Sequence, residues 1–260
     1  MFDFSWIMNI RVGCCGWCIK GGKREYCKVF ETVEIQETFY KLPRVETVKK
    51  WREETYSEFI FNMKAWQAVT HPPTSPTWRR SGVRIARSKI SKYGFLKPTE
   101  ENFEAWEKTL EVAEAMNARV VVIQTPASFS YSRDNLENIE EFFSTAKRGS
   151  SNIGWEPRGD WREHLDEIRR ICIKHDILHI TDPFRCENVS IHNVRYYRLH
   201  GIGGKEVNYS YKYTVSDFKK LVEIIGRDKD EGVEDVYIMF NNISMRDDAL
   251  NFKNFVLSYF

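Results

Sequence analysis

The stretch Asn152-Ile153-Gly154-Trp155-Glu156-Pro157-Arg158-Gly159-Asp160-Trp161 runs a short apolar segment into a carboxylate, an arginine and a second carboxylate. Charged side chains seldom follow a buried strand this closely unless they are paired or face a cleft. Similar groups follow other apolar runs: Glu34 and Glu37, Lys64, Asp182, Arg198 and His200. Carboxylates crowded beside Lys64, Arg158 and Arg198 are driven apart in pKa, as acid–base pairs require. Hydrolysis of a glycosidic or phosphate ester, or isomerisation of a sugar, needs two groups of different pKa across a bond. The candidate catalytic residues are therefore Glu156, His200, Lys64, Asp182 and Glu37, with proton transfer assigned to Glu156 together with His200 or Lys64. The competing reading is an ion-pair network that only holds strand ends together.

Groups suited to ligand binding stand at comparable places: Arg158, Arg198, Tyr40, Trp66, His71, Gln124, Asn241 and Asn242. Gly201-Ile202-Gly203-Gly204-Lys205, followed by Tyr209, Tyr211 and Tyr213, is glycine-rich backbone of the kind that cradles phosphate. Tyr211 is the ligand-binding candidate among these tyrosines. Between Lys64 and Glu100 there is no Asp or Glu, while Arg79, Arg80, Arg84 and Arg87 interleave with Trp78, Tyr93 and Phe95. Basic side chains beside aromatic ones neutralise phosphates and stack bases, so these four arginines are candidates for nucleic-acid binding. Cys14, Cys15, Cys18 and Cys27 are candidate metal ligands, although their spacing matches no known signature. A mixed set of His71, Glu156, Asp182 and His200 would suit a hydrolytic divalent metal.

The elements that must position these groups can be read from period. Eight short β-like runs are Ile10–Cys14, Thr32–Gln36, Phe59–Lys64, Arg119–Gln124, Asn152–Glu156, Ile177–Asp182, Val194–His200 and Val236–Asn241. Several are nearly continuous branched or aromatic runs, which suit parallel strands covered on both faces. Stripes of helical spacing lie between most of them, such as Phe103, Trp106, Leu110 and Ala113 after a capping Thr99. Others follow Ser132 and Ser216, and the last begins at Ala249. The connection from Asp182 to Val194 leaves little room for a helix. Strand and helix alternating in this way predict an α/β fold, a (β/α)8 barrel in one domain over residues 9–260. Residues 1–8 read as an N-terminal extension and 66–98 as a long basic loop after the third strand. In such barrels the C-terminal strand ends form the reactive mouth, and nearly every run here ends in a polar or ionisable group.

Composition adds limits. The 260 residues carry 39 Lys and Arg against 37 Asp and Glu, so net charge says little about partners. No apolar run is long enough to span a bilayer, and the start lacks the shape of a secretory signal. The expected setting is the cytoplasm with reduced thiols. The expected ligand is a small anion or sugar phosphate, with nucleic acid as the alternative partner and a divalent metal as a possible cofactor.

Seven motifs in order resemble one known family. They are Arg11-Val12-Gly13-Cys14-Cys15-Gly16-Trp17, Val33-Glu34-Ile35-Gln36-Glu37-Thr38-Phe39-Tyr40, Phe61-Asn62-Met63-Lys64-Ala65-Trp66, Trp155-Glu156-Pro157-Arg158, Asp182-Pro183-Phe184-Arg185, Tyr197-Arg198-Leu199-His200-Gly201 and Phe240-Asn241-Asn242. Together they resemble the domain-of-unknown-function 72 family in its archaeal branch, over essentially the whole chain from about Asn9. The resemblance implies a TIM-type barrel with a polar mouth, related in fold to sugar-isomerase and apurinic-endonuclease barrels. It implies no particular reaction. Many members carry Ser where this chain has Cys15, so the resemblance does not imply a required thiol.

Overall fold

The branched and aromatic runs form strands because they can be covered on both faces, and here those faces are a filled lumen and a coat of helices. The computed structural model describes residues 8–259. Its eight parallel strands close into a barrel in chain order. They are β1 (Asn9–Cys14), β2 (Thr32–Ile35), β3 (Ile60–Lys64), β4 (Ala118–Gln124), β5 (Asn152–Glu156), β6 (Leu178–Thr181), β7 (Val194–Leu199) and β8 (Asp235–Phe240). Closure comes from β1 pairing with β8, in register from Asn9 opposite Asp235 to Cys14 opposite Phe240. Each expected strand is found to within one residue at either end. Residues 1–7 of the expected N-terminal extension lie outside the described residues.

The helices are α1 (Lys23–Tyr26), α2 (Glu37–Tyr40), α3 (Val45–Glu53), α4 (Gln67–Thr70), α5 (Trp78–Ser81), α6 (Glu100–Met116), α7 (Arg133–Thr145), α8 (Leu165–His175), α9 (Val215–Asp230) and α10 (Met245–Tyr259). Thr99 and Ser132 cap α6 and α7 through their side-chain oxygens, as their residue types predict. Helix α9 begins before the expected Ser216: Thr214 and Asp217 form a reciprocal capping box, so the cap lies two residues upstream. The β6–β7 connection has no helix, as its length required.

The strand period of two sorts the core into two clusters. Val120, Val122, Leu178, Ile180, Val194, Tyr196, Tyr237 and Met239 pack together inside the barrel, with Cys15 among them. Their strand neighbours Val121, Ile123, Ile153, Trp155, Tyr197, Leu199, Ile238 and Phe240 belong to the larger cluster shared with the helices. Gly154 occupies a lumen position where a Cβ would lie 2.3 Å from Ile180 Cδ1, so β5 gives that space to its neighbour.

The stretch expected as a long open loop, 66–98, is folded. It contains α4, α5 and a 3-10 turn at Arg87–Lys92. It then returns to its start: the backbone N–H groups of Gly94, Phe95 and Leu96 donate to the carbonyls of Ala68, Thr70 and Val69. Trp78 and Leu96 are buried, and the Trp78 indole donates to His71 O at 3.0 Å. The charge pattern concealed these apolar anchors, which is why period and composition suggested only a loop.

Candidate functional site

Stepping by two along each strand from a lumen-facing residue gives the next lumen-facing residue. Val122 leads to Gln124, Gly154 to Glu156, Ile180 to Asp182, Tyr196 to Arg198 and His200, and Met239 to Asn241. In β2 and β3, Glu34 stands opposite Asn62, with Lys64 two residues on. The polar residues at the C-terminal ends therefore share one face, and their contacts confirm it.

Arg198 is the centre of this group and is fully buried. Its Nε and Nη2 donate to Glu34 Oε2 at 3.0 Å and Oε1 at 2.9 Å. Its Nη1 donates to Gln124 Oε1 at 3.0 Å and to Glu156 Oε2. Glu34 also accepts from Tyr196 Oη at 2.9 Å and from the Gln36 amide. The other oxygen of Glu156 pairs with Arg158 Nη2 at 2.7 Å. Burial alone would push the Glu156 carboxyl up, but Arg158 and Arg198 outweigh it and hold it down at about 2. Glu156 is thus an ionised partner near neutral pH and a poor proton donor.

His200 is buried between the same charges. Arg158 Nη2 lies 2.8 Å from its Nε2, and a guanidinium can only donate, so Nε2 accepts and the neutral ring carries its proton on Nδ1. Nδ1 stands 3.7 Å from Asp182 Oδ2, which accepts from the His200 backbone N–H at 2.9 Å. Burial and the Arg158 charge lower the His200 pKa, against the pull of Asp182. Arg185 lies beside Asp182 at 3.5 Å and donates to the carbonyls of Gly201 and Gly203.

Lys64 differs from these paired groups. It is 8% exposed, and its Nζ lies 3.8 Å from the centre of the Phe39 ring. Its carbonyl accepts from Thr38 Oγ1 at 2.7 Å, but its Nζ has no hydrogen bond or ion pair among the described residues, since Arg198 and Arg158 already occupy the nearby carboxylates. Burial, then the Arg198 charge, lower its pKa from 10.5 to about 7 against the opposing pull of Glu156 and Glu34. His71 is buried next along, edge-on to Phe39 at 4.9 Å and bonded through Nδ1 to Thr70 Oγ1 at 2.8 Å. Burial and Lys64 lower its pKa to about 3, so it is a neutral imidazole. The indole N–H of Trp66, the second residue beyond Lys64, is buried without a hydrogen-bond partner.

The remaining expected residues divide. Glu37 is exposed at the first position of α2 and takes no part in the Arg198 network. Tyr40 joins the mouth to the basic segment: its hydroxyl accepts from Arg80 at 3.3 Å and its carbonyl from Gln67 at 3.1 Å. Asn242 and Tyr211 are held by structural bonds. The Asn242 amide donates to Tyr211 O at 2.7 Å and Asp248 Oδ2 at 2.6 Å, and Tyr211 Oη donates to Asp217 in the α9 cap. The first N–H of the glycine loop, at Gly201, is taken by Tyr213 Oη at 2.8 Å. Arg79, Arg80, Arg84 and Arg87 are all exposed.

The candidate metal sets do not assemble: among the described residues no three His, Cys, Asp or Glu side chains are grouped to hold an ion. Cys14 and Cys18 come together through a thiol hydrogen bond, with Cys14 also donating to Met245 O at 3.5 Å, while Cys15 lies in the lumen beside Arg198 and Cys27 sits near Arg52 and Lys23. Cys14 and Cys15 part because adjacent residues along a strand face opposite sides.

The sequence profile described as "Protein of unknown function DUF72" matches residues 11–257. The chain belongs to this family. A DUF72 family protein from Enterococcus faecalis V583 has a similar structure at TM-score 0.70 and 16% identity, over 97% of this chain and 99% of that one. Another from Thermotoga maritima MSB8 has TM-score 0.67 and 21% identity, over 96% and 99%. Outside the family, D-psicose 3-epimerase from Clostridium cellulolyticum H10, solved with D-tagatose, has TM-score 0.55 and 8% identity, over 98% and 96%. Identities this low show the shared barrel and no more. No curated protein matches the chain.

Sequence reasoning missed one contributor to this DUF72 mouth, Tyr196, which donates to Glu34. Its signal was its place two residues before Arg198. Gln36 and Phe39 stand in the motif at the end of β2, and the structure gives each a contact there: Gln36 donates to Glu34 and Phe39 walls Lys64.

Proposed function

We propose that this protein is an acid–base enzyme acting at the C-terminal barrel mouth on a phosphorylated or sugar-derived anionic substrate. The observation that carries the reading is Lys64: a buried amine against the Phe39 ring, with no ion pair among the described residues, where burial and the Arg198 charge bring its pKa down to about 7. A base is most effective when its pKa lies near the working pH. Lys64 takes or returns the substrate proton. Arg158 and Arg198, with the exposed arginines of the basic segment, favour an anionic substrate. Asp182 orients His200, and Glu34 positions Arg198.

The same array favours isomerising over hydrolytic chemistry. Cleavage of a glycosidic bond needs a carboxylic acid that protonates the leaving oxygen. Both oxygens of Glu34 and of Glu156 are already accepting from cations or amides. Loss of a proton beside a sugar carbonyl requires only a base and a cationic environment for the oxyanion. The test is exchange of substrate C–H protons with deuterated solvent, followed by NMR over a panel of aldose and ketose phosphates. Wild-type protein should catalyse exchange for one of them and Lys64→Met should not; exchange that persists in Lys64→Met contradicts the role.

A second reading is non-catalytic binding of phosphate or nucleic acid. Its support is that Arg79, Arg84 and Arg87 are exposed with no acidic partner among the described residues.

A further inference from the structure

Lys64 has the surroundings of a nucleophile as well as those of a base. Its Nζ stands at the end of β3 against the face of Phe39, with no carboxylate claiming it. Glu34 is closed off by Arg198, Tyr196 and Gln36, and Glu156 by Arg198 and Arg158. A lysine desolvated in this way, with cations beside it, is the environment in which an amine attacks a carbonyl. Among the described residues, the Trp66 indole N–H and Gln67 Oε1, on the segment that follows Lys64, are left without hydrogen-bond partners, as is Nε of Arg158, whose charge acts on Lys64. A buried polar group without a partner costs free energy, and a polar ligand relieves that cost.

We propose that Lys64 attacks the carbonyl carbon of an aldehyde- or ketone-bearing phosphorylated substrate and holds it as a Schiff base. The inference rests on the mouth being the ligand site, and gives the Lys64 amine the role of nucleophile in place of base. The Nζ lone pair forms the C–N bond while the carbonyl π pair moves to oxygen, which takes a proton. The resulting carbinolamine loses that oxygen as water as nitrogen's lone pair forms C=N. The balance is amine plus carbonyl plus one proton from solvent, giving a protonated imine and water, with no change in oxidation level. Glu156 and Glu34 stabilise the iminium charge without leaving their arginines.

Pyridoxal 5′-phosphate, an aldehyde carrying a phosphate, tests this on the full chain. The protein is mixed with less than one equivalent of probe near neutral pH and reduced with borohydride, and the adduct is located by peptide mass spectrometry. The expected result is one phosphopyridoxyl group on Lys64, with labelling faster as pH rises through about 7. Unphosphorylated pyridoxal should label Lys64 roughly tenfold more slowly, for want of the charge-assisted bonds a phosphate makes. Lys64→Arg and Lys64→Met should each abolish this label while circular dichroism confirms that they fold. Label spread over exposed lysines, with Lys64 unmodified, overturns the proposal. Equal rates for the two aldehydes overturn its phosphorylated part. Calorimetry with inorganic phosphate separates the two levels. Phosphate bound at the mouth of a protein whose Lys64 stays unlabelled refutes the Schiff base and keeps the ligand site; neither binding nor label refutes both.

Discussion

Arg198 is tied to two carboxylates at zero exposure, and the value of that arrangement depends on what is removed. Taking away the cation leaves Glu34 and Glu156 buried without it. Arg198→Met should cost about 3–5 kcal/mol of stability by urea denaturation, the scale of breaking a buried pair. Adding Glu34→Gln should recover part of that loss, because one stranded charge is gone; additive effects would show that the two residues are not coupled. Lys64 has the opposite sign. Its folded pKa of about 7 lies below its ordinary 10.5, so between those values the unfolded chain binds more protons and stability rises with pH. Below about pH 7 the buried charge is carried in full. Lys64→Met should therefore stabilise the protein by roughly 1–4 kcal/mol at mildly acidic pH, and the gain should shrink towards pH 10.5. A gain independent of pH would mean that the amine is not desolvated.

Among the elements, β5 and the loop after β7 depend on glycine. Gly154→Ala pushes a Cβ against Ile180 inside the lumen and should cost about 1–3 kcal/mol, the usual scale of overpacking. Ile180→Val removes the nearer obstacle, Cδ1, and leaves Cγ1 at 2.8 Å, so the double variant should regain part of the lost stability in thermal melts; a double variant less stable than Gly154→Ala would place the strain elsewhere. Gly201 is less forgiving. Its φ is +82° and a Cβ there would sit 2.0 Å from Asn208 O, a backbone atom that cannot swing aside. The basic segment makes a separate prediction. If its arginines contact phosphates, replacing Arg79, Arg80, Arg84 and Arg87 by Gln should weaken single-stranded DNA or RNA binding and flatten its salt dependence in gel shifts. An unchanged slope in the variant would contradict that contact.

The elements also show what the sequence could and could not convey. The eight strands were legible because lumen and helix coat both demand apolar residues, leaving nearly continuous runs. The polar mouth was legible because Glu156, Asp182, Arg198 and His200 each follow a buried run in the same parity. Which carboxylates were free was not legible, since that depends on Arg198 reaching both β2 and β5 across the lumen. The short helices α2, α4 and α5 gave no periodic signal, and Trp78 among arginines resembled a stacking residue when it is a core anchor.

At the scale of the whole molecule the two barrel ends are built differently. At the N-terminal end, charges such as Arg11, Arg119 and Asp235 form loose pairs of 3.5–3.6 Å with partly exposed partners, the scale at which ion pairs contribute little. At the C-terminal end the charges are buried, bonded through several donors and arranged around an amine that nothing claims. No helix among the described residues is long and apolar enough to cross a membrane. The acid–base role and the Schiff base both depend on the charge state of one side chain. Direct titration of Lys64 Nζ by NMR in selectively labelled protein, assigned with Lys64→Arg, should give a pKa of about 7. A value near the ordinary 10.5 would mean a solvated or ion-paired ammonium, and both the acid–base role and the Schiff base would be lost.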